Sequence, residues 1–328
     1  MVVLFFIVIA CMRVVQSVCS KRASIEVGNN GTFFLYGVYY QALAAVFSLL
    51  TLCIMGFDSF TVSTMICGLI TAVFLMIQFF ASLNAVKGCK IIISSMFNFG
   101  GLLICCLISW VWFGETMSVL QGIGLVLFFG AAYLLSSTKK ENMETEKRRI
   151  SKKTWILLIM VMLTEGCVEV SQKYFSLKVI GGSVAWYSFF MFAFSAIIMG
   201  MGLCVIQVKR NKTKTAKVGD SEVNLYEKKE TKLRLNKALL VCGFLLSFAV
   251  FVINLLVTEL SRTVSSAVLF PVSASISICI TVLVGWIVYK EKLTVKNMIG
   301  VVLGLLAIIV LATFTPETVE KYLDNFYG

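Results

Sequence analysis

ISWVWFGETMSVLQGIGLVLF, residues 108–128, overlays VGWIVYKEKLTVKNMIGVVLG, residues 284–304, without a gap when the chain is shifted by 176 positions. Seven of the 21 aligned positions are identical: Trp110/Trp286, Glu115/Glu291, Val119/Val295, Ile123/Ile299, Gly124/Gly300, Val126/Val302 and Leu127/Leu303. Ser118/Thr294 and Gln121/Asn297 are conservative pairs in the same register. The shift also places Gln78 on Asn254, each a polar residue in the middle of an apolar run. Self-similarity at one fixed spacing marks two copies of one structural unit.

Working outward from this repeat, each half divides into five apolar runs long enough to cross a bilayer, which takes about 20 residues. The ten runs cover 2–19, 32–55, 62–83, 89–113, 117–137, 154–172, 183–207, 238–258, 264–289 and 294–314. The first run has no basic leader and no small-residue cleavage pattern after it, so it is expected to be retained. Five is odd, so the second half is expected to enter the membrane upside down relative to the first. The expected fold is an all-α integral membrane protein of ten transmembrane helices arranged as two inverted five-helix repeats. Residues 1–137 would form the first repeat and 154–314 the second; 138–153 would be a basic cytoplasmic linker, 208–236 a basic loop and 315–328 a short polar tail. Inverted repeats place a binding site near the midplane between the halves.

Composition agrees. Of 328 residues 59% are hydrophobic and 14% charged, with a mean hydropathy of +0.92. Soluble domains are about 45–50% apolar and 25% charged. A soluble enzyme, a disordered protein and a nucleic-acid-binding domain are thereby excluded. The net charge of +12 resides largely in two gaps between apolar runs, seven basic residues over 139–153 and ten over 209–237. That placement is a topology signal rather than a phosphate-binding surface. The sequence contains no histidine, and its 11 cysteines show no metal-ligand spacing, so neither a catalytic constellation, a metal site nor a bound cofactor is expected.

The segments Phe113-Gly-Glu115-Thr-Met-Ser-Val-Leu-Gln-Gly-Ile-Gly124 and Tyr289-Lys-Glu291-Lys-Leu-Thr-Val-Lys-Asn-Met-Ile-Gly300 resemble the ending of the EamA repeat. The chain thus resembles the EamA-type ten-span branch of the drug/metabolite transporter superfamily over nearly its whole length. The resemblance implies a permease for small metabolites or drugs, with no bound cofactor. The residues themselves assign Glu115 and Glu291 a capping role at the helix that follows each, with gating as the alternative. Gly124, Gly130, Gly300 and Gly304 are expected to let helices approach closely.

Ionisable groups inside spans are the best candidates for a site, because charge at membrane depth costs a few kcal/mol. Arg13 lies in the first span, Glu165 and Glu169 in the sixth. The two glutamates are four apart, on one helical face with Gln172, and Lys173 is the next charge along it. A glutamate followed eight residues later by lysine resembles the small multidrug resistance branch of the superfamily, in which the glutamate is the shared proton and cation site. When Lys21 is aligned with Lys173, Arg13 falls on Glu165, so a cation is expected opposite an anion near the midplane. That pairing suits a zwitterion such as an amino acid; a plain internal salt bridge is the other reading.

Gln78 and Asn254 join the candidates through their symmetric positions, with Gln41, Asn84 and Asn98 behind them. Pro271, inside the ninth run, is expected to kink it and act as a gate element, with neighbouring serines bonding the freed carbonyls. Twenty-four basic residues fall in odd-numbered loops and four in even-numbered loops and the tail, so odd loops are expected in the cytoplasm and both termini outside. The expected location is a bacterial plasma membrane. A monomer suffices for two fused halves, although a homodimer is compatible. Amino-acid or related zwitterion export leads, followed by proton-coupled export of cationic drugs, then nucleotide-sugar or sugar-phosphate transport. A membrane scaffold or receptor would leave the paired buried charges unexplained.

Overall fold

The computed structural model describes residues 2–56, 60–88, 91–116, 118–136, 151–217, 235–287 and 295–313. These form ten helices: α1 (Val2–Glu26), α2 (Asn30–Met55), α3 (Val62–Gly88), α4 (Ile91–Trp112), α5 (Val119–Ser136), α6 (Lys152–Lys178), α7 (Val184–Lys217), α8 (Lys237–Leu260), α9 (Ser266–Ile287) and α10 (Val295–Thr313). Helices answer the central demand of a lipid solvent, since each one satisfies its own backbone N–H and C=O groups. Among the described residues six helices, α1, α2, α3, α6, α7 and α8, are long and apolar enough to cross a membrane, and α5, α9 and α10 contain shorter apolar stretches. Each expected run contains a helix. Helix α7 continues to Lys217, into the stretch expected to be a loop. Glu291, most of the linker, residues 218–234 and the tail lie outside the described residues.

Local chemistry sets several helix starts. Asn29 accepts from the Thr32 N–H at 2.7 Å to cap α2, and Asn236 accepts from the Leu239 N–H at 2.8 Å to cap α8. Ser118 and Gln121 form a capping box on α5. The Gln121 N–H donates to Ser118 Oγ at 3.1 Å and the Ser118 N–H to Gln121 Oε1 at 3.2 Å.

The packing pairs α2 with α7, α5 with α10, α3 with α6 and α1 with α8; α4 lies on α6 and α9 on α1. Valine, isoleucine and leucine side chains of α3, α5, α8 and α10 point outward, whereas serines, threonines and amides lie inside. This is the distribution expected where the surrounding solvent is hydrocarbon. The tightest approach next to the buried charges is between α4 and α6. A Cβ on Gly101 would sit 2.7 Å from Glu165 Cβ and 2.7 Å from the Met162 carbonyl oxygen; one on Gly166 would sit 2.8 Å from Ile104 Cβ. Only glycines let these two backbones meet. Gly124 and Gly300 are buried, on α5 and α10, which pack together. Gly130 faces open space, so it serves no close approach, contrary to expectation.

Candidate functional site

Glu165 lies 13 residues from either end of α6, about 20 Å at 1.5 Å per residue, so its carboxylate is at the middle of the bundle. Four of the predicted residues converge there. Arg13 Nη1 is 3.8 Å from Glu165 Oε1, and Nη2 is 3.3 Å from Glu169 Oε1. All three side chains are 90% or more buried. Gln78 of α3 donates from Nε2 to Glu165 Oε2 and lies 3.4 Å from Asn98 Oδ1 of α4. A guanidinium from α1 is thus held between two carboxylates of α6, and an amide from α3 closes the outer side.

Asn254 is not in this cluster directly. Its Oδ1 accepts from Gln172 Nε2 at 2.5 Å, and its Nδ2 donates to the Val250 carbonyl of its own helix at 2.8 Å. Gln78 and Asn254 therefore both contact α6, Gln78 at its middle through Glu165 and Asn254 nearer its end through Gln172. Asn84 only donates to the carbonyl of Phe80, at 2.9 Å, and Gln41 is buried beside the Tyr40 hydroxyl. Helix α9 continues through Pro271, and Ser273 and Ser277 donate to the carbonyls of Phe270 and Ser273 at 2.9 and 2.6 Å.

A second charged cluster lies at the far end of α6. Lys173 Nζ is 2.6 Å from Glu115 Oε1 and donates to the carbonyls of Ser261 and Val264 at 3.0 Å each. Glu115 Oε2 accepts from the Ser266 N–H at 2.9 Å. Glu115 therefore caps α9, not the α5 that follows it in sequence. Gly114 makes this possible: at φ +68 it turns the chain so that the Glu115 N–H returns to the Ser109 carbonyl at 3.2 Å, beyond the end of α4. Lys173 follows directly on the sixth apolar run, yet it is 2% exposed and belongs to this cluster. The spacing 165, 169, 173 had placed it on the right face. Gly101 and Gly166, which fix the depth at which Glu165 meets α4, carry no such sequence signature.

Near the same end, a cavity of about 700 Å³ opens between α1, α2, α8 and the α6–α7 turn. Phe5, Leu52 and Leu255 line it, with Glu259 and Arg262 among its polar groups. Arg262 donates to the Gly182 carbonyl at 2.6 Å and pairs with Glu259 at 3.7 Å. Tyr187, near the start of α7, is fully buried. Its ring stacks on Phe175 with centroids 4.2 Å apart, and its hydroxyl is 2.8 Å from Thr71 Oγ1. No cluster of metal-ligating side chains occurs among the described residues.

Residues 152–313 match the EamA-like transporter family, a range that opens on the first residue of α6 and closes on the last of α10. The second half of the chain belongs to that family. No curated protein matches this EamA-like chain. A protein crystal structure superposes on 96% of the chain and 98% of its own, with a TM-score of 0.68 at 11% identity, which shows a shared fold. As a member of a transporter family and a multi-pass helical protein, this EamA-like chain is an integral membrane transporter of the drug/metabolite type. It works in a lipid bilayer on a small-molecule substrate, and its family is not one of enzymes.

Proposed function

We propose that this EamA-like transporter exports an amino acid or related zwitterion through a site formed by Arg13, Glu165, Glu169 and Gln78, with Asn254 on the approach. The observation that carries this reading is the guanidinium held between two carboxylates at the centre of α6. Breaking a buried ion pair by withdrawing one partner costs about 3–5 kcal/mol, so a solute entering here must replace what it displaces. A zwitterion replaces both partners of a pair: its carboxylate takes Arg13 and its ammonium takes one glutamate, so the excess of one carboxylate is the same with and without it. Such a solute is also small enough to be read by the few amides around the cluster.

The site lies between two inverted five-helix halves on this proposal, 1–137 and 154–314. The packing supports that division. Exchanging α1–α5 with α6–α10 turns the α1–α8 pair into α6–α3, the α4–α6 pair into α9–α1, and leaves α2–α7 and α5–α10 unchanged. On the same proposal the odd-numbered loops face the cytoplasm of a bacterial plasma membrane and both termini lie outside; the excess of basic residues in those loops supports the orientation.

A second reading has one observation in its favour. The cluster has two carboxylates and one guanidinium, so a cationic solute exchanging with a proton would also balance it. The test compares external metabolites of cells producing the unaltered chain, Glu165→Gln, Arg13→Gln, or no transporter. Amino acids accumulating outside only with the unaltered chain support the zwitterion reading. Loss of export in Glu165→Gln alone, with cationic dyes as the exported species, replaces it with the second. Full export by both variants removes the site assignment.

A further inference from the structure

Glu165, Glu169 and Lys173 follow one another at single-turn intervals along α6, and the last of them ties three separate segments together. The three N–H donors of Lys173 are fully used, by Glu115 Oε1 and by the carbonyls of Ser261 and Val264. Through Glu115 the ammonium is also linked to the first N–H of α9. The end of α6, the α4–α5 connection and the α8–α9 connection are thereby closed on one side chain. One turn nearer the midplane, Glu169 gives Oε1 to Arg13, while its Oε2 is buried and has no hydrogen-bond partner among the described residues. A glutamate four residues before a lysine is the favoured order for a helical ion pair.

We propose that Lys173 is a positioning residue that couples the Arg13–Glu165–Glu169 site to opening at this end of the bundle, by exchanging Glu115 for Glu169. When a solute draws Arg13 away, Glu169 becomes an uncompensated carboxylate at membrane depth, a costly state. The cation one turn along the same helix relieves it. Lys173 turns back to Glu169, Glu115 keeps only the Ser266 N–H, and the two connections are no longer joined. Return of Arg13 to Glu169 sends Lys173 back to Glu115 and closes the end again. The inference rests on transport through this site but not on which solute is carried.

Native thiols report the closure. Cys105 and Cys106 of α4 are buried, and Cys106 Sγ lies 3.5 Å from the Ser266 carbonyl oxygen, behind the Lys173–Glu115 pair. Full-length protein in lipid nanodiscs, which expose both faces, is treated with a maleimide without added solute, and each cysteine is followed by peptide mapping. The labelling rate of a buried thiol follows the population of the open state. Arg13→Gln, which bares Glu169, should speed labelling of Cys106 roughly tenfold, the scale of one lost charge-assisted bond. Adding Glu169→Gln to Arg13→Gln should cancel that gain, because the competing acceptor is gone. Glu115→Gln should label fast whatever stands at 169. Cys19 and Cys67, buried elsewhere, stay protected in a folded protein and would react along with Cys106 in a misfolded one.

A structural tie with no coupling predicts that Arg13→Gln leaves Cys106 unchanged, or that Glu169→Gln fails to reverse the gain; either result overturns the proposal. Should Arg13→Gln not fold, Glu169→Gln alone decides, since it must label Cys106 more slowly than the unaltered chain. Because no solute is present, failed amino-acid export would leave this result standing, and a failed labelling cycle would leave the export result standing.

Discussion

Replacing Gly101 by alanine tests whether the α4–α6 contact sets the position of Glu165. The added Cβ would lie 2.7 Å from Glu165 Cβ, 2.7 Å from the Met162 carbonyl oxygen and 2.9 Å from the Gly166 nitrogen. Two of these atoms are backbone, so no side-chain rotation relieves the contact. Restoring ordinary contact near 3.4 Å requires the helices to part by about 0.7 Å. Overpacking of this kind costs about 1–3 kcal/mol. Separation shifts Glu165 relative to Arg13, which sits 3.8 Å from it, and relative to Gln78. Transport should therefore fall further than stability does. Gly122 is the matched control: it is also helical, and a Cβ there meets nothing within 4 Å. An alanine at 122 gains up to about 1 kcal/mol in helix propensity and should stabilise or do nothing. The assay is the unfolding temperature of purified protein beside export rate per molecule at the membrane. If Gly101→Ala matches the unaltered chain in both, the two helices do not meet as closely as described, and glycine does not set the depth of Glu165.

Arg13→Gln strands two carboxylates and should destabilise the protein by about 3–5 kcal/mol in denaturant unfolding, whereas Arg13→Gln combined with Glu165→Gln and Glu169→Gln should recover most of that loss. Ser118→Ala removes one half of the α5 capping box and should lower stability by about 1 kcal/mol, with Ser118→Thr close to neutral. Tyr187→Phe keeps the stack on Phe175 but loses the contact with Thr71, which predicts a loss of about 1 kcal/mol in the same measurement and unchanged export.

The parts of the molecule that sequence made legible are those written in rare or repeated residues. Charges inside apolar runs are few, so Arg13, Glu165 and Glu169 stood out, and the structure brings them together. The repeated segments around Glu115 and Glu291 run into α5 and α10, helices that do pack together, although Glu291 itself is outside the described residues. What stayed hidden depends on partners distant in the chain. Glu115 precedes α5 in sequence, so a local cap was the natural expectation, yet the N–H it binds lies 151 residues further on. Lys173 lies close to the end of its apolar run, and a charge count assigns such a lysine to a loop; only the carbonyls of Ser261 and Val264 and the carboxylate of Glu115 hold it inside. Gly101 and Gly166 looked like any other glycine in a chain that has 23 of them, because nothing local says which face of a helix will meet another backbone.

Charge counting separates the two candidate substrate classes. The buried clusters contain Glu115, Glu165 and Glu169 against Arg13 and Lys173, one more carboxylate than cations. A deficit of that kind at membrane depth is costly and has to be relieved by something mobile. A monovalent cation relieves it alone, so the loaded site is neutral and the empty one takes a proton; exchange then moves no net charge. A zwitterion brings no net charge, so the same proton is needed with and without it, and an amino acid crosses without proton exchange. Proteoliposomes distinguish these outcomes. Under the proposed reading, an outward amino-acid gradient should leave internal pH unchanged while radiolabelled amino acid leaves. If internal pH falls in step with solute loss, a proton is entering for each solute that leaves, and the cation-exchange account replaces the zwitterion one.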